Sequence, residues 1–353
     1  MIDTDEFYRR SCELGFVKLE AVARNIVWTA HTDWGDLEIT INLSKPEKDP
    51  RTIAEEAARK ASGKVDYVDP ATGAVRPCPL CVTEKDVERG YARRISLQGE
   101  NWGLWYSPYV YYEEHCIAMS WEHRPMHIDR AAFECLFDIV GQLPQYFFGS
   151  NADLPLVGGS ILAHDHFQGG KHVFPMQKAD ICEAFELRGF PEVEAGVVKW
   201  PMSVIRLSGE DRAKLVDAAC AVLDVWRKHD EPSIGICAET DGVRHNTITP
   251  ILMKDGNRYQ LDLALRCNMT SPEHPWGLFH PHERYHHIKK ENIGLIEVMG
   301  LAILPPRVQQ VMEEQGLSRE EVGRLFGEIL ECAGVFKWDE EGRAALQRFL
   351  AKL

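Results

Sequence analysis

Three polar side chains recur at alternate positions in the segment Gly158-Gly159-Ser160-Ile161-Leu162-Ala163-His164-Asp165-His166-Phe167-Gln168-Gly169-Gly170. In an extended chain successive side chains point to opposite faces, so His164, His166 and Gln168 share one surface while Asp165 and Phe167 take the other. Two imidazoles and a carboxamide in a core without partners would cost several kcal/mol in desolvation. They are therefore expected to face a cleft, a metal or each other. A neutral imidazole near pH 7 serves as a metal ligand or as a nucleophile. The flanking glycine pairs permit positive φ and close approach of backbone to a ligand.

Cys78-Pro79-Leu80-Cys81 forms a second constellation. Its spacing lets two thiolates close on one Zn²⁺, and in a cytosolic protein zinc is favoured over a disulfide. Two more ligands are needed. The remaining cysteines, such as Cys116, Cys135, Cys220, Cys237 and Cys332, stand singly in apolar contexts and read as buried reduced thiols.

These residues need a scaffold. Leu37–Asn42 alternates as a half-buried strand, and the Ser44–Arg51 stretch, with Pro46 and Pro50, reads as a loop. Val110–Met119 is predicted as a strand, and Asp129 as the cap of a helix running to about Gln142. The order recurs: Ser203–Leu207 as a strand, a helix over about 210–229, then Ile248–Met253 and Tyr259–Arg266 joined at Asp255-Gly256, a strong hairpin signal. Strand, helix, then strands in both parts predicts a duplicated α+β unit. The expected division is an N-terminal catalytic half, 1–198, carrying the zinc site, and a C-terminal half, 199–353, for substrate binding. Ser318-Arg319-Glu320-Glu321 is a capping box that opens a helix to about Ala333.

The chain has 353 residues, 44% of them apolar, enough for a large core. A formal net charge of -14 argues against nucleic acid or an anionic membrane as partner, and favours a small phosphorylated ligand in a local basic pocket. No apolar run of about 18 residues and no signal-peptide pattern at Met1–Glu6 is present, which leads to a cytoplasmic expectation.

His164-x-His166-x-Gln168 resembles the active-site motif of the galactose-1-phosphate uridylyltransferases, a branch of the histidine-triad superfamily. The stretches 43–50, 106–117, 245–251 and 287–300 are similar to the longer bacterial class, and the likeness spans most of residues 3–310. Members of that class usually carry a further N-terminal region beyond what this sequence contains. The resemblance implies a histidine-triad α+β fold of two related halves, a homodimer, and UDP-glucose and galactose 1-phosphate as substrates. His166 would attack the α-phosphorus, and Gln168 would hydrogen-bond a phosphoryl oxygen. In related hydrolases a histidine stands at the Gln168 position; glutamine cannot titrate, which favours transfer over hydrolysis.

By the same resemblance, His164 and His123 complete a structural zinc site with Cys78 and Cys81, with His115 and His127 competing for the place of His123. Lys45, Lys48 and Arg51 would pair with the diphosphate, and Glu113 or Glu114 with uridine or ribose. Ser160, in the motif loop, is a further substrate-binding candidate. His245, Asn246, Lys289, Lys290, Asn292 and Glu297 are candidates for the hexose-phosphate side. A second metal is not expected, because Gln260-Leu261-Asp262-Leu263-Ala264 lacks the histidines that some relatives carry there. The alternatives are a sugar-nucleotide phosphorylase or nucleotidyltransferase with another base or sugar, and a non-catalytic nucleotide-binding protein.

Overall fold

The computed structural model describes residues 2–44, 67–68, 75–158 and 161–353. Lys45, Lys48, Arg51 and Ser160 lie outside these residues. Near the N-terminus, β1 (Ile26–Thr32) and β2 (Gly35–Ile41) form an antiparallel pair, and β3 (Tyr67–Val68) pairs with β4 (Val75–Arg76). A first block follows: β5 (Arg93–Leu97), β6 (Glu100–Tyr106), β7 (Cys116–Ser120), the helix Arg130–Gln142, β8 (Phe147–Gly149) and β9 (His166–Gly170). A second comprises β10 (Ile181–Phe185), β11 (Glu194–Val198), β12 (Val204–Gly209), the helix Arg212–Arg227, β15 (Asn246–Asp255) and β16 (Arg258–Cys267). The short pair β13 (Glu239–Thr240) and β14 (Val243–Arg244) precedes β15. Finally β17 (Leu301–Leu304) joins β2 in parallel.

The two blocks form one ten-stranded antiparallel sheet in the order β10-β11-β12-β16-β15-β8-β9-β7-β6-β5. Each block has three meandering strands, a helix, then two strands of which the first lies at the centre. The blocks meet where Gly149 and Phe148 of β8 pair with Ile251 and Leu252 of β15. Reading outward from Gly149↔Ile251, one row of the ladder carries Gln168 and Ile117 on one side, and Asp262 and Arg206 on the other.

Both helices begin where an aspartate supplies the missing acceptor: Asp129 takes the Ala132 N–H at 3.1 Å and Asp211 the Lys214 N–H at 3.1 Å. Their apolar stripes, including Phe133, Leu136, Phe137, Leu215, Val222 and Trp226, cover one face of the sheet together with Trp102 and Phe167. Burying each such Phe or Leu contributes about 1.5–3 kcal/mol before the entropy of ordering it. The opposite face carries two separate apolar clusters. The larger joins Ile251 and Phe174 to the small sheet and to the helix Arg319–Ala333. The smaller holds Cys78, Leu80, Val82, Trp105 and Met119.

The predicted strand Val110–Met119 is shorter than expected: residues 107–115 turn, Glu114 has a φ of 53°, and β7 starts at Cys116. Pro108 and that left-handed residue keep the stretch out of the ladder. The expected helices, the Ser318 capping box and the β15–β16 hairpin are present, with Gly256 taking a φ of 56° at the turn.

Candidate active site and metal centre

The sheet face between the two apolar clusters carries the motif. His164 lies just before β9, and His166 and Gln168 are on it, opposite Met119 and Ile117 of β7. Gly169 is required by packing: a Cβ there would sit 2.5 Å from the Phe147 carbonyl oxygen and the Phe148 ring. A neighbouring strand, rather than a ligand, explains that glycine. Gly158 is less tightly placed, a Cβ there lying 3.0 Å from Ala152 backbone atoms.

His166 is buried, and its Nδ1 lies 2.7 Å from the His164 carbonyl oxygen. A carbonyl can only accept, so Nδ1 bears the hydrogen and Nε2 keeps its lone pair. Burial lowers the pKa of the ring and so favours the neutral, nucleophilic form. The His164 ring, fully buried, donates from Nε2 to the Ser120 carbonyl at 2.8 Å, which turns the Nδ1 lone pair outward.

Nδ1 of His164 lies 3.1 Å from Cys78 Sγ and 3.7 Å from Cys81 Sγ, the two sulfurs are 3.7 Å apart, and His123 Nδ1 is 3.4 Å from Cys81 Sγ. All four ligand atoms lie within 4.8 Å of one another. A tetrahedron with Zn–S of about 2.3 Å has an S···S edge near 3.8 Å, so the spacing fits zinc and is far too long for a disulfide. Four protein donors leave no open position, which suits a structural ion.

Local structure explains why the four converge. Cys81 N–H bonds the Cys78 carbonyl, and the turn is held by Arg76, which donates to the Cys81 carbonyl at 2.8 Å and pairs with buried Asp86 at 2.9 Å. The two histidines come from strands of chain tied together backbone to backbone: Ser120 N–H to Asp165, Asp165 N–H to Arg124, and Met126 N–H to Leu162. Asp165 points to the other face, as alternation predicts, where Arg124 meets it at 3.3 Å. Burial raises its carboxyl pKa to about 6 against the pull of Arg124.

Of the competitors for the fourth ligand, His115 instead places Nε2 3.1 Å from Gln168 Oε1, and His127 is outside the group. This contact to Gln168 was not anticipated from the sequence. No local spacing signals it, since the two residues meet only through β7–β9 pairing.

The remaining candidates are scattered. Glu113 is exposed, whereas Glu114 is buried, accepts from Tyr146 Oη and lies 3.6 Å from Lys171 Nζ. Asn246 is buried and donates to the Trp226 and His229 carbonyls, and His245 Nδ1 meets Asn268 Oδ1 at 2.8 Å. Lys289 and Glu297 form a buried pair at 2.8 Å, Lys289 also donating to the Ile303 carbonyl. These groups make contacts inside the fold, while His245 Nε2 and Asn246 Oδ1 are buried without a partner among the described residues. Lys290 is exposed and Asn292, half-buried, meets His280 at 3.1 Å. This segment packs at the end of the strand beside the motif: Leu295 N–H bonds Asn151 Oδ1 at 2.8 Å, two residues beyond the Gly149 that pairs with Gln168.

Residues 2–125 match the galactose-1-phosphate uridyl transferase N-terminal domain, and residues 139–325 its C-terminal domain. Galactose-1-phosphate uridylyltransferase of Streptococcus pneumoniae (strain Hungary19A-6) is 44% identical over 99% of this chain and 78% of its own length. That of Bacillus subtilis (strain 168) is 43% identical over 99% and 76%, and that of Pediococcus pentosaceus 46% identical over 99% and 78%. The structure of yeast Ap4A phosphorylase Apa2 in complex with Ap4A is 11% identical, with a TM-score of 0.50 over 94% of this chain and 95% of that one, and shares the α+β fold. With both domains matched and such relatives aligned over nearly all of its length, the chain belongs to the galactose-1-phosphate uridylyltransferase family.

Proposed function

We propose that this enzyme moves a uridylyl group from UDP-glucose to galactose 1-phosphate through a covalent intermediate on His166. The names of its relatives support the reaction. One geometric observation supports the residue: the His164 carbonyl holds the Nδ1 hydrogen of His166, leaving Nε2 as the attacking atom. Nε2 forms a bond to the α-phosphorus as the bond to the glucose 1-phosphate oxygen breaks. A phosphate oxygen of galactose 1-phosphate then attacks the same phosphorus, releasing Nε2 and giving UDP-galactose. Gln168 donates its amide hydrogens to the phosphoryl oxygens as charge develops on them.

Cys78, Cys81, His123 and His164 would hold zinc, which when bound neutralises the two thiolates and fixes His164. Because His164 also supplies the carbonyl that orients His166, the metal centre and the nucleophile share one short piece of backbone. We place the protein in the cytosol, with ten unpaired cysteines in support, and read it as a homodimer. The division expected after Val198 falls between β11 and β12, inside the second five-stranded block; we propose Gly170 as the boundary instead, which keeps each block whole.

Purified protein should convert UDP-glucose and galactose 1-phosphate to UDP-galactose and glucose 1-phosphate. Turnover of another sugar nucleotide or hexose phosphate with none of this pair would overturn the substrate assignment. Metal analysis should give about one zinc per chain.

A further inference from the structure

We propose that His115 is a positioning residue, which fixes the amide of Gln168 with its nitrogen toward the reacting phosphoryl group. The inference rests on the role given above to Gln168. A glutamine amide has two nearly isosteric orientations, related by a half-turn, and they do opposite things at an anionic phosphoryl oxygen: the NH₂ end donates to it and the oxygen end repels it. Something must choose between them before substrate binds, because an amide that reorients during the reaction stabilises charge less well than one already set.

His115 makes that choice. Its Nε2 lies 3.1 Å from Gln168 Oε1. An amide oxygen accepts only, so Nε2 carries the hydrogen, and the Gln168 nitrogen has no hydrogen-bond partner among the described residues. The contact is braced from both sides. The Tyr112 ring packs 4.5 Å from the His115 ring, and Tyr112 Oη donates to the carbonyl of Gly169, next to Gln168, at 3.1 Å. Tyr111 lies 5.5 Å away on the same imidazole. Burial lowers the pKa of His115 to about 4, so the ring stays neutral across the physiological range and donates without adding charge beside the nucleophile.

The test is a double-mutant cycle in the full chain, with kcat and KM measured for UDP-glucose and galactose 1-phosphate. His115→Phe keeps the ring and removes the donor. It should lower kcat about 10-fold with Gln168 present, change KM less than twofold, and cost less than twofold in a Gln168→Ala background. His115→Gln, which keeps a nitrogen donor, should stay within about threefold of wild type, a rescue that a packing role for the ring does not give. Equal losses from His115→Phe in both backgrounds, or a His115→Gln enzyme as slow as His115→Phe, overturn the positioning role. If Gln168→Ala itself keeps the wild-type kcat, the assignment of Gln168 fails and this inference fails with it. If Gln168→Ala is slow and the losses multiply, only the role of His115 falls.

Discussion

The two five-stranded blocks have the same strand order, yet the corresponding positions beside their shared boundary hold opposite kinds of polar group. On the first block the row outward from Gly149 reaches Gln168, with His166 two residues earlier. On the second, the row outward from Ile251 reaches Asp262, with Gln260 two residues earlier. Asp262 and Arg206 form a buried bidentate pair at 2.6 and 3.0 Å, and Arg206 also donates to the Ala179 and Met176 carbonyls. Gln260 donates to Asp262 and to the Gln177 carbonyl. Arg206 and Gln260 are thus both engaged with Asp262 and with neighbouring carbonyls. On the first block, Nε2 of His166 and the nitrogen of Gln168 have no hydrogen-bond partner among the described residues. The same scaffold thus holds the histidine motif on one side and a mutually bonded Arg206, Asp262 and Gln260 group on the other, and the contrast between the two blocks lies in how these particular groups are engaged.

Four substitutions test that contrast, from the largest expected effect downward. His166→Ala should lower the uridylyl-transfer rate by on the order of 10⁴-fold or more with little change in thermal stability; a rate within tenfold of wild type breaks the assignment. Asp262→Ala should do the reverse. It leaves Arg206 buried without its carboxylate, at a cost of about 3–5 kcal/mol in denaturant unfolding, while the rate per folded molecule stays within about twofold. Cys81→Ala should release the metal and lower the rate by about 10–100-fold, because His164 then loses its anchor; metal content and rate are measured on the same preparation. The smallest effect belongs to Gln260→Ala, about 1 kcal/mol in stability and no change in rate. A large loss of activity there would mean that the second block is not a passive scaffold.

What was legible in the sequence follows the range over which the determining contacts act. Asp129 and Ser318 cap helices through residues three positions away, and Asp255-Gly256 closes a hairpin between adjacent segments, so each was readable from local spacing. The common direction of His164, His166 and Gln168 follows from backbone alternation alone. The Cys78 and Cys81 pair was visible for the same reason. His123 needed either the family resemblance or the folded chain, since three nearby histidines had equal chemical claims. Contacts between segments far apart in the chain were beyond reach: His115 with Gln168, Glu114 with Tyr146, and the Gly149↔Ile251 junction that fuses the two blocks. Lys289 and Glu297, expected on the hexose-phosphate side, form a buried ion pair that their spacing alone does not reveal.

The central claim is that the unspent Nε2 of His166 becomes bonded to the α-phosphorus of the nucleotide. Incubating the protein with UDP-glucose labelled at that phosphorus, without galactose 1-phosphate, and mapping the acid-labile adduct tests it directly. The account predicts one labelled site, at His166, chased off by galactose 1-phosphate as UDP-galactose. Label retained in His166→Ala, or turnover with no adduct at any stage, would contradict it.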